Sequence, residues 1–380
     1  MQYIILLMLL SASLFSKEIF YLMRSPKALL MGDAYTAIAD DEYSLYYNPA
    51  LLARNSGMSL TPLNPSFGLT NAYSDLNKFQ NLPSGTSAAS ELANRFMDYP
   101  IYFSAGATPG FKMGGIGFNL FINNQSSLMF RNSIHPTLNL QYRYDRGFIA
   151  GFAYQLGNGA FASKKSNSSK TQYSNGQKLS LGFAVKHFNR QGTDSEYDLF
   201  GTGLLNTINN GGTSLSEIKS SLGFSEGDGW GYDLGLDYIY SSGLTTITAG
   251  ASLQDLFGTY FKRTSGDKPV PYQPMIGNLG LGIKQDFYLF DYTLSFDLHP
   301  FLGKADLKRQ IHVGTELSFP FISLLGGISE GYYSYGLILK FWPFKLTTGL
   351  YGTEIGASYK QSESKRFILY LSLFDFSIDL

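Results

Sequence analysis

Apolar and polar residues alternate with a period of two along much of the chain. In Thr137–Asp145, Leu138, Leu140, Tyr142 and Tyr144 interleave with Asn139, Gln141, Arg143 and Asp145. The pattern returns where Trp230, Tyr232, Leu234, Leu236, Tyr238 and Tyr240 alternate with Gly231, Asp233, Gly235 and Asp237. It recurs at Tyr292–Leu298 against Asp297, and at Ile311–Phe319 against His312 and Glu316. Such runs predict half-buried strands. A soluble sandwich alternates in the same way, so run length decides. These runs reach about nine to eleven residues, the length of a tilted membrane-crossing strand, against about five or six for an ordinary one. Aromatic residues gather at the ends of the apolar faces, as Trp230 with Tyr240 and Phe341-Trp342, as in interfacial girdles. The expected fold is all-β: a transmembrane antiparallel β-barrel of about 14 strands. Its apolar face meets lipid, while Arg143, Asp145, Lys186, Asp233, Asp237, Lys284, Asp297 and Glu316 face the lumen. Their mixed signs allow pairing across the interior, which suits a plugged barrel better than an open pore.

Turn signals support this organisation. Short turns are expected at Asp145-Arg146-Gly147, Ser241-Ser242-Gly243 and Phe319-Pro320-Phe321, with longer connections at Gly157–Gln177, Asp255–Met275 and His299–Arg309. Candidate strands from Gly57–Pro62 onward number about fifteen, whereas single-chain bacterial barrels close with an even number. The fault is expected in Asn189–Gly229, where two long connections would flank a strand and Thr213–Ser221 reads as a short helix. The chain closes on Phe374, Phe376, Ile378 and Leu380 alternating with polar residues. Outer-membrane barrels usually end on Phe or Trp, so Leu380 departs from that preference.

Composition agrees. Of 380 residues, 44% are hydrophobic, 16% aromatic and 15% charged, fewer charges than the quarter or so of a soluble domain. Lys plus Arg (29) balance Asp plus Glu (29), so no basic excess exists to hold a phosphate backbone and nucleic acid is not an expected partner. The sequence has no cysteine, which removes disulfides, thiolate metal sites and cysteine catalysis together. Residues 1–16 read as an export signal, an apolar run Ile4–Leu10 followed by small residues, although no Lys or Arg precedes it. The four histidines, His135, His187, His299 and His312, show no metal-ligand spacing, and no cofactor is expected. His312 shares a strand face with Gln310 and Glu316, so an outer-membrane hydrolase is a minor alternative. Gly114-Gly115-Ile116-Gly117 lacks the context of a dinucleotide loop and reads as a glycine-softened strand.

Residues 24–53 are too rich in Ala and Leu for a free linker yet do not alternate, so they should pack inside something. Three stretches stand out: Gly32-Asp33-Ala34, Ala37-Ile38-Ala39-Asp40-Asp41 and Tyr46-Tyr47-Asn48-Pro49-Ala50-Leu51-Leu52-Ala53. Alone, Asn48-Pro49 is a common turn and Asp40-Asp41 a solvated one. Together they resemble the N-terminal signature of FadL-like and PorV/PorQ-like outer-membrane proteins. Near the C-terminus, Ile311–Glu316, Gly326-Gly327-Ile328, Tyr335-Gly336 and Glu354-Ile355-Gly356 are similar to the PorV-type closing strands.

The resemblance implies a fourteen-stranded barrel of the cell outer membrane with an N-terminal segment folded into the lumen. The expected division is a signal peptide (1–16), a plug segment (17–56) and a barrel (57–380). Gly32, Asp33, Asp40, Asp41, Tyr47, Asn48, Pro49 and Ala50 are the candidate gate. Beyond membrane lipid, two partners are implied. A FadL-like barrel would pass a small hydrophobic ligand, with an apolar pocket beside residues 24–53. A PorV-like barrel would dock a secreted or surface protein, with a filled lumen and a binding surface on its long loops.

Overall fold

The computed structural model describes residues 18–54, 57–71, 73–81, 91, 94–132, 137–156, 176–198, 219, 222–302 and 306–378. The expected export signal, Leu380, nearly all of Gly157–Gln177 and all of Thr213–Ser221 but Lys219 lie outside them.

The wall begins with two staves that are each broken in half. The first is β1 (Met58–Thr61) and β2 (Ser66–Thr70), and the second is β3 (Ile101–Ala107) and β4 (Gly110–Met113). The next stave, β5 (Ile116–Arg131), pairs with both β3 and β4, while β1 pairs with β4 and β2 with β3. Then come β6 (Thr137–Leu156), β7 (Gly176–Asp198), β8 (Ser225–Ser242) and β9 (Thr245–Gln254). A side piece, β10 (Phe261–Ser265), lies on β8. The circuit continues through β11 (Ile276–Asp286), β12 (Asp291–Leu298), β13 (Ile311–Ser318), β14 (Ile322–Ser329), β15 (Tyr332–Phe341), β16 (Phe344–Glu354) and β17 (Glu363–Leu373). β17 pairs with β2, closing the sheet, and β18 (Phe376–Ile378) continues its line against β1. With the broken staves counted once, the barrel has 14 antiparallel strands, the even number that closure demands.

The alternation sorts as expected. On β8, Trp230, Tyr232, Leu234, Leu236, Tyr238 and Tyr240 are exposed, while Asp233 and Asp237 are buried. β12 exposes Tyr292, Leu294 and Phe296 and buries Thr293, Ser295 and Asp297. An apolar exterior over a polar interior, on a closed sheet, pairs backbone groups in lipid wherever the ladder is continuous.

Three expectations need correction. Asp145-Arg146-Gly147 is not a turn: β6 continues through it, with Asp145 opposite Asn123 and Arg190. Two neighbouring ladders and the Asp145–Arg190 pair override the local turn signal. Asn189–Asp198 is likewise the continuation of β7. Gly114-Gly115 forms the tight turn between β4 and β5, both residues having positive φ (56° and 85°), as a two-residue hairpin requires. β5 to β8 span 16–23 residues, whereas about 9–11 suffice to cross a bilayer. One side of the wall therefore rises past the membrane. β9 and β11 to β17 keep to 8–11 residues.

Candidate functional site

The N-terminal segment meets the inner face of this wall. Ser25 caps the helix Pro26–Leu30 through its side chain, with Pro26 in the first turn. The chain then reverses at Gly32 (φ 64°) and Asp33 (φ 62°). A side chain at Gly32 would lie 2.4 Å from the Val313 carbonyl oxygen and 2.6 Å from Ile328 backbone atoms. Glycine is needed there for both conformation and room. A short helix Ser44–Tyr47 and a 3-10 helix Pro49–Arg54 follow. Wall glycines receive them: a Cβ on Gly182 would come within 2.2 Å of Ala50 N, and one on Gly235 within 2.1 Å of Asn48 Oδ1. Leu45, Leu52, Tyr46 and Tyr47 join Phe121, Ile149, Ala184 and Phe188 of the wall in one buried cluster.

Polar contacts fix the register of segment on wall. Asn48 donates to the Leu236 carbonyl (2.9 Å) and to Thr36 O (3.3 Å), and accepts from Ala50 N–H (3.0 Å). Arg54 makes a two-pronged bond to Asp237 (2.9 and 2.6 Å) and donates to Ala37 O. Asp297 accepts the backbone N–H groups of Tyr35 (2.8 Å) and Thr36 (2.7 Å). Lys27 bridges Glu316 (2.9 Å) and Asp40 (3.1 Å). Asp33 is held by Arg24 (2.5 Å) and Tyr47 OH (2.8 Å). His312 meets Gly32 O through Nδ1 (2.9 Å), and His299 meets Asp33 O through Nε2 (3.0 Å). Asp41 accepts from Ser25 Oγ and from Tyr43 N–H. Burial first, then the neighbouring Glu42 and Asp40 charges, push its carboxyl up to about 6.

Of the eight residues expected in the lumen, Asp145, Lys186, Asp233, Asp237, Asp297 and Glu316 are buried, Arg143 is half-buried and Lys284 is exposed; within the eight, only Lys186 and Asp233 pair with each other (2.8 Å), Lys186 also taking Asp255 at 3.0 Å. Asp145 pairs with Arg190 (2.6 Å), Arg143 donates to Phe20 O and Gln273, and Lys284 lies half-exposed near Asp286 and Asp291. Arg190, Arg54 and Lys27 were missed as partners because pairing across a barrel leaves no local sequence signal. Of the candidate gate, Asp40 is exposed and Asp41 half-buried, and the other six residues are buried.

Where the two broken staves meet, the wall ladder lapses. β2 and β3 pair only over Ser66–Leu69, whereas β6 and β7 pair throughout Thr137–Leu156. Between Thr61 and Ser66 the gap is bridged by Asn64, whose amide donates to Thr108 O (3.1 Å) and accepts from Thr108 N–H (2.8 Å). Residues of the segment contact it from the inner side. Glu42 takes bonds from Asn64 Nδ2 (3.2 Å) and Tyr370 OH, Tyr46 OH meets Thr108 Oγ1 (2.8 Å), and Asn119 donates to Glu42 O (2.8 Å). Tyr46 also packs edge-on against Phe121. Glu42, Tyr46, Asn64 and Thr108 are all buried.

A cavity of about 500 Å³ lies beside the segment at the short-turn end, near Thr246, Asp291, Ser318 and Lys345. Its lining is mixed rather than purely apolar as expected for a hydrophobic passage: Lys27, Asp40, Asp41, Lys284, Glu316 and Lys340 line it together with Ile38, Ile338 and Tyr370. A second, of about 260 Å³, is bordered by Glu18, Arg131 and Glu196 at the raised end. Ser329 Oγ lies 3.1 Å from His312 Nδ1, but both are buried, and the other ring nitrogen faces the His299 carbonyl oxygen, so no acid orients the pair as hydrolysis would require.

An edgeless antiparallel sheet of even strand number, with an apolar belt and a polar lumen, is a transmembrane β-barrel of outer-membrane type. No family model and no curated protein matches the sequence. Among solved structures, the chain is similar to a TodX deltaS2S3 mutant monoaromatic hydrocarbon channel (12% identity, TM-score 0.46, covering 95% of this chain and 100% of that one). It is also similar to the Pseudomonas putida toluene transporter TodX (12%, 0.45, 96% and 100%) and the Ralstonia pickettii toluene transporter TbuX (11%, 0.44, 95% and 100%). What those channels carry is a property of theirs.

Proposed function

We propose that this outer-membrane barrel passes small hydrophobic molecules, with residues 17–56 as a lumenal plug and the gap between the broken staves as a sideways exit. One observation carries the reading: the wall is interrupted at Asn64 and Thr108, and the interruption is stopped from inside by Glu42 and Tyr46 of the segment. A movement of that short stretch unseals the wall toward lipid, a route open to an apolar solute and closed to a sugar. The burial of most of the segment's side chains against the wall supports a filled lumen. Hydrophobic probes cross plain phospholipid unaided, so the test needs a lipopolysaccharide outer leaflet. Cells expressing the protein should take up N-phenylnaphthylamine faster than cells without it, with maltotriose entry unchanged. Equal acceleration of both would overturn the reading.

The filled lumen also supports a second reading, docking of a secreted or surface protein at the raised β5–β8 side. A stoichiometric exported partner in native pull-downs, with unchanged probe uptake, would favour it.

A further inference from the structure

Three hairpins of the short-strand half end in apolar tips at the short-turn end. β11 turns into β12 through Phe287-Tyr288-Leu289-Phe290, β13 into β14 through Phe319-Pro320-Phe321, and β15 into β16 through Phe341-Trp342-Pro343-Phe344. None of these tips holds a charged residue. Tyr288 is fully exposed, Trp342 is 84% exposed and Phe321 68%. Hairpins that turn in water favour Gly, Asn, Asp and Ser, and Glu330-Gly331, between β14 and β15 at the opposite end, is of that polar kind.

Strand length supplies a reason for the difference. On β8 the outward face is apolar from Trp230 to Tyr240, a run that climbs roughly 25 Å at about 3.4 Å per residue and a tilt of about 40°. That is the height of the apolar band of an outer-membrane barrel, about 25 Å. β12, β13 and β14 have 8 residues each, or roughly 20 Å by the same measure. The tips extend these strands by the missing height. Their backbones are also paired, as lipid requires. Phe287 N–H donates to Phe290 O (2.9 Å), Phe319 N–H to Ile322 O (2.8 Å), Lys340 N–H to Phe321 O (2.9 Å) and Phe374 N–H to Pro343 O (2.8 Å). Pro320 and Pro343 have no N–H to satisfy. Phe290 meets both Phe287 (ring centroids 4.8 Å apart) and Phe319 (5.7 Å), which joins two tips into one apolar surface below the exposed Tyr292 and Leu294 of the belt.

We propose that these three tips lie within the phospholipid leaflet on the short-turn side, so that the short-strand half crosses the bilayer with its turns and the β5–β8 half with strands alone. Continuity with the lipid-facing belt, and turn backbones that are already paired, name lipid rather than a soluble protein as what covers them. The inference is independent of what passes through the barrel.

The test uses the two tryptophans of the sequence, Trp230 and Trp342. The full chain carrying W230F, reconstituted in phosphatidylcholine vesicles, keeps Trp342 as its single indole, and Y288W in a W230F/W342F background places one on the neighbouring tip. A heat-modifiability gel checks that each is folded, and either one alone gives the readout. Emission from each position should be quenched by acyl-brominated phosphatidylcholine, more strongly with bromine near the glycerol end than at mid-chain. Iodide quenching should be weaker by about threefold or more than that of free N-acetyltryptophanamide, as shielding at the membrane interface requires. Emission at either position that is open to iodide and indifferent to brominated lipid would overturn the proposal and leave the tips as a surface for a soluble partner.

Discussion

Placing one methyl group on the wall tests whether residues 18–54 are seated as described. In Gly182→Ala the new Cβ would lie 2.2 Å from Ala50 N, 2.4 Å from Pro49 C and 2.5 Å from Ala50 Cα. All three are backbone atoms, and ordinary carbon contacts sit at about 3.5–4.0 Å. The segment must therefore retreat by roughly 1 Å at the point where Asn48 and Arg54 anchor it. Overpacking of this kind costs about 1–3 kcal/mol. A value near 2 kcal/mol raises the displaced population by about 30-fold. Trypsin reads that population through cleavage after Arg24, Lys27 and Arg54, provided opening is fast relative to cutting. Gly176→Ala, on the same strand with nothing within 4 Å, is the matched control. Gly182→Ala should be clipped at these sites some 10- to 30-fold faster than Gly176→Ala, with the barrel intact on a heat-modifiability gel. Equal rates would refute the seating of Pro49-Ala50 against β7.

Other outcomes follow from the same contacts. Arg54→Gln leaves Asp237 buried without its partner and should cost about 3–5 kcal/mol, read as a lowered denaturant midpoint, whereas the double variant with Asp237→Asn should recover much of the loss. Asp41 has a folded pKa raised to about 6 from 3.8, so the folded state holds the proton more tightly than the unfolded one. Its contribution is full below about pH 4 and is lost as pH rises through about 6. Melting of the native chain should fall between those pH values more than that of Asp41→Asn, and parallel curves would contradict the assignment. Asn64→Ala removes both bonds to the Thr108 backbone and should speed N-phenylnaphthylamine entry without admitting maltotriose.

Much of the barrel was readable in the chain because lipid and lumen make opposite demands on successive residues, and β8 and β12 obey both. The unusual character of residues 24–53 was readable too, since Ala and Leu without alternation need enclosure. Pairing was not readable. Arg54 with Asp237, and Arg190 with Asp145, are neighbours only because the sheet closes. The turn expected at Asp145-Arg146-Gly147 failed because two ladders outweigh three turn-forming residues. The wall gap left a legible trace that strand length alone concealed: Pro62 and Pro65 flank Leu63-Asn64, and Pro109 follows Thr108, and proline cannot donate to a ladder.

The most direct measurement of the sideways exit is photolabelling of the native protein in lipopolysaccharide-containing membranes with a small diazirine-bearing aromatic, mapped by mass spectrometry. Labelling concentrated on Tyr46, Asn64, Thr108 and Phe121, and competed by excess unlabelled aromatic, is the predicted result. Uniform labelling of the outer belt at Leu236, Leu281 and Phe296, without competition at the gap, would contradict it.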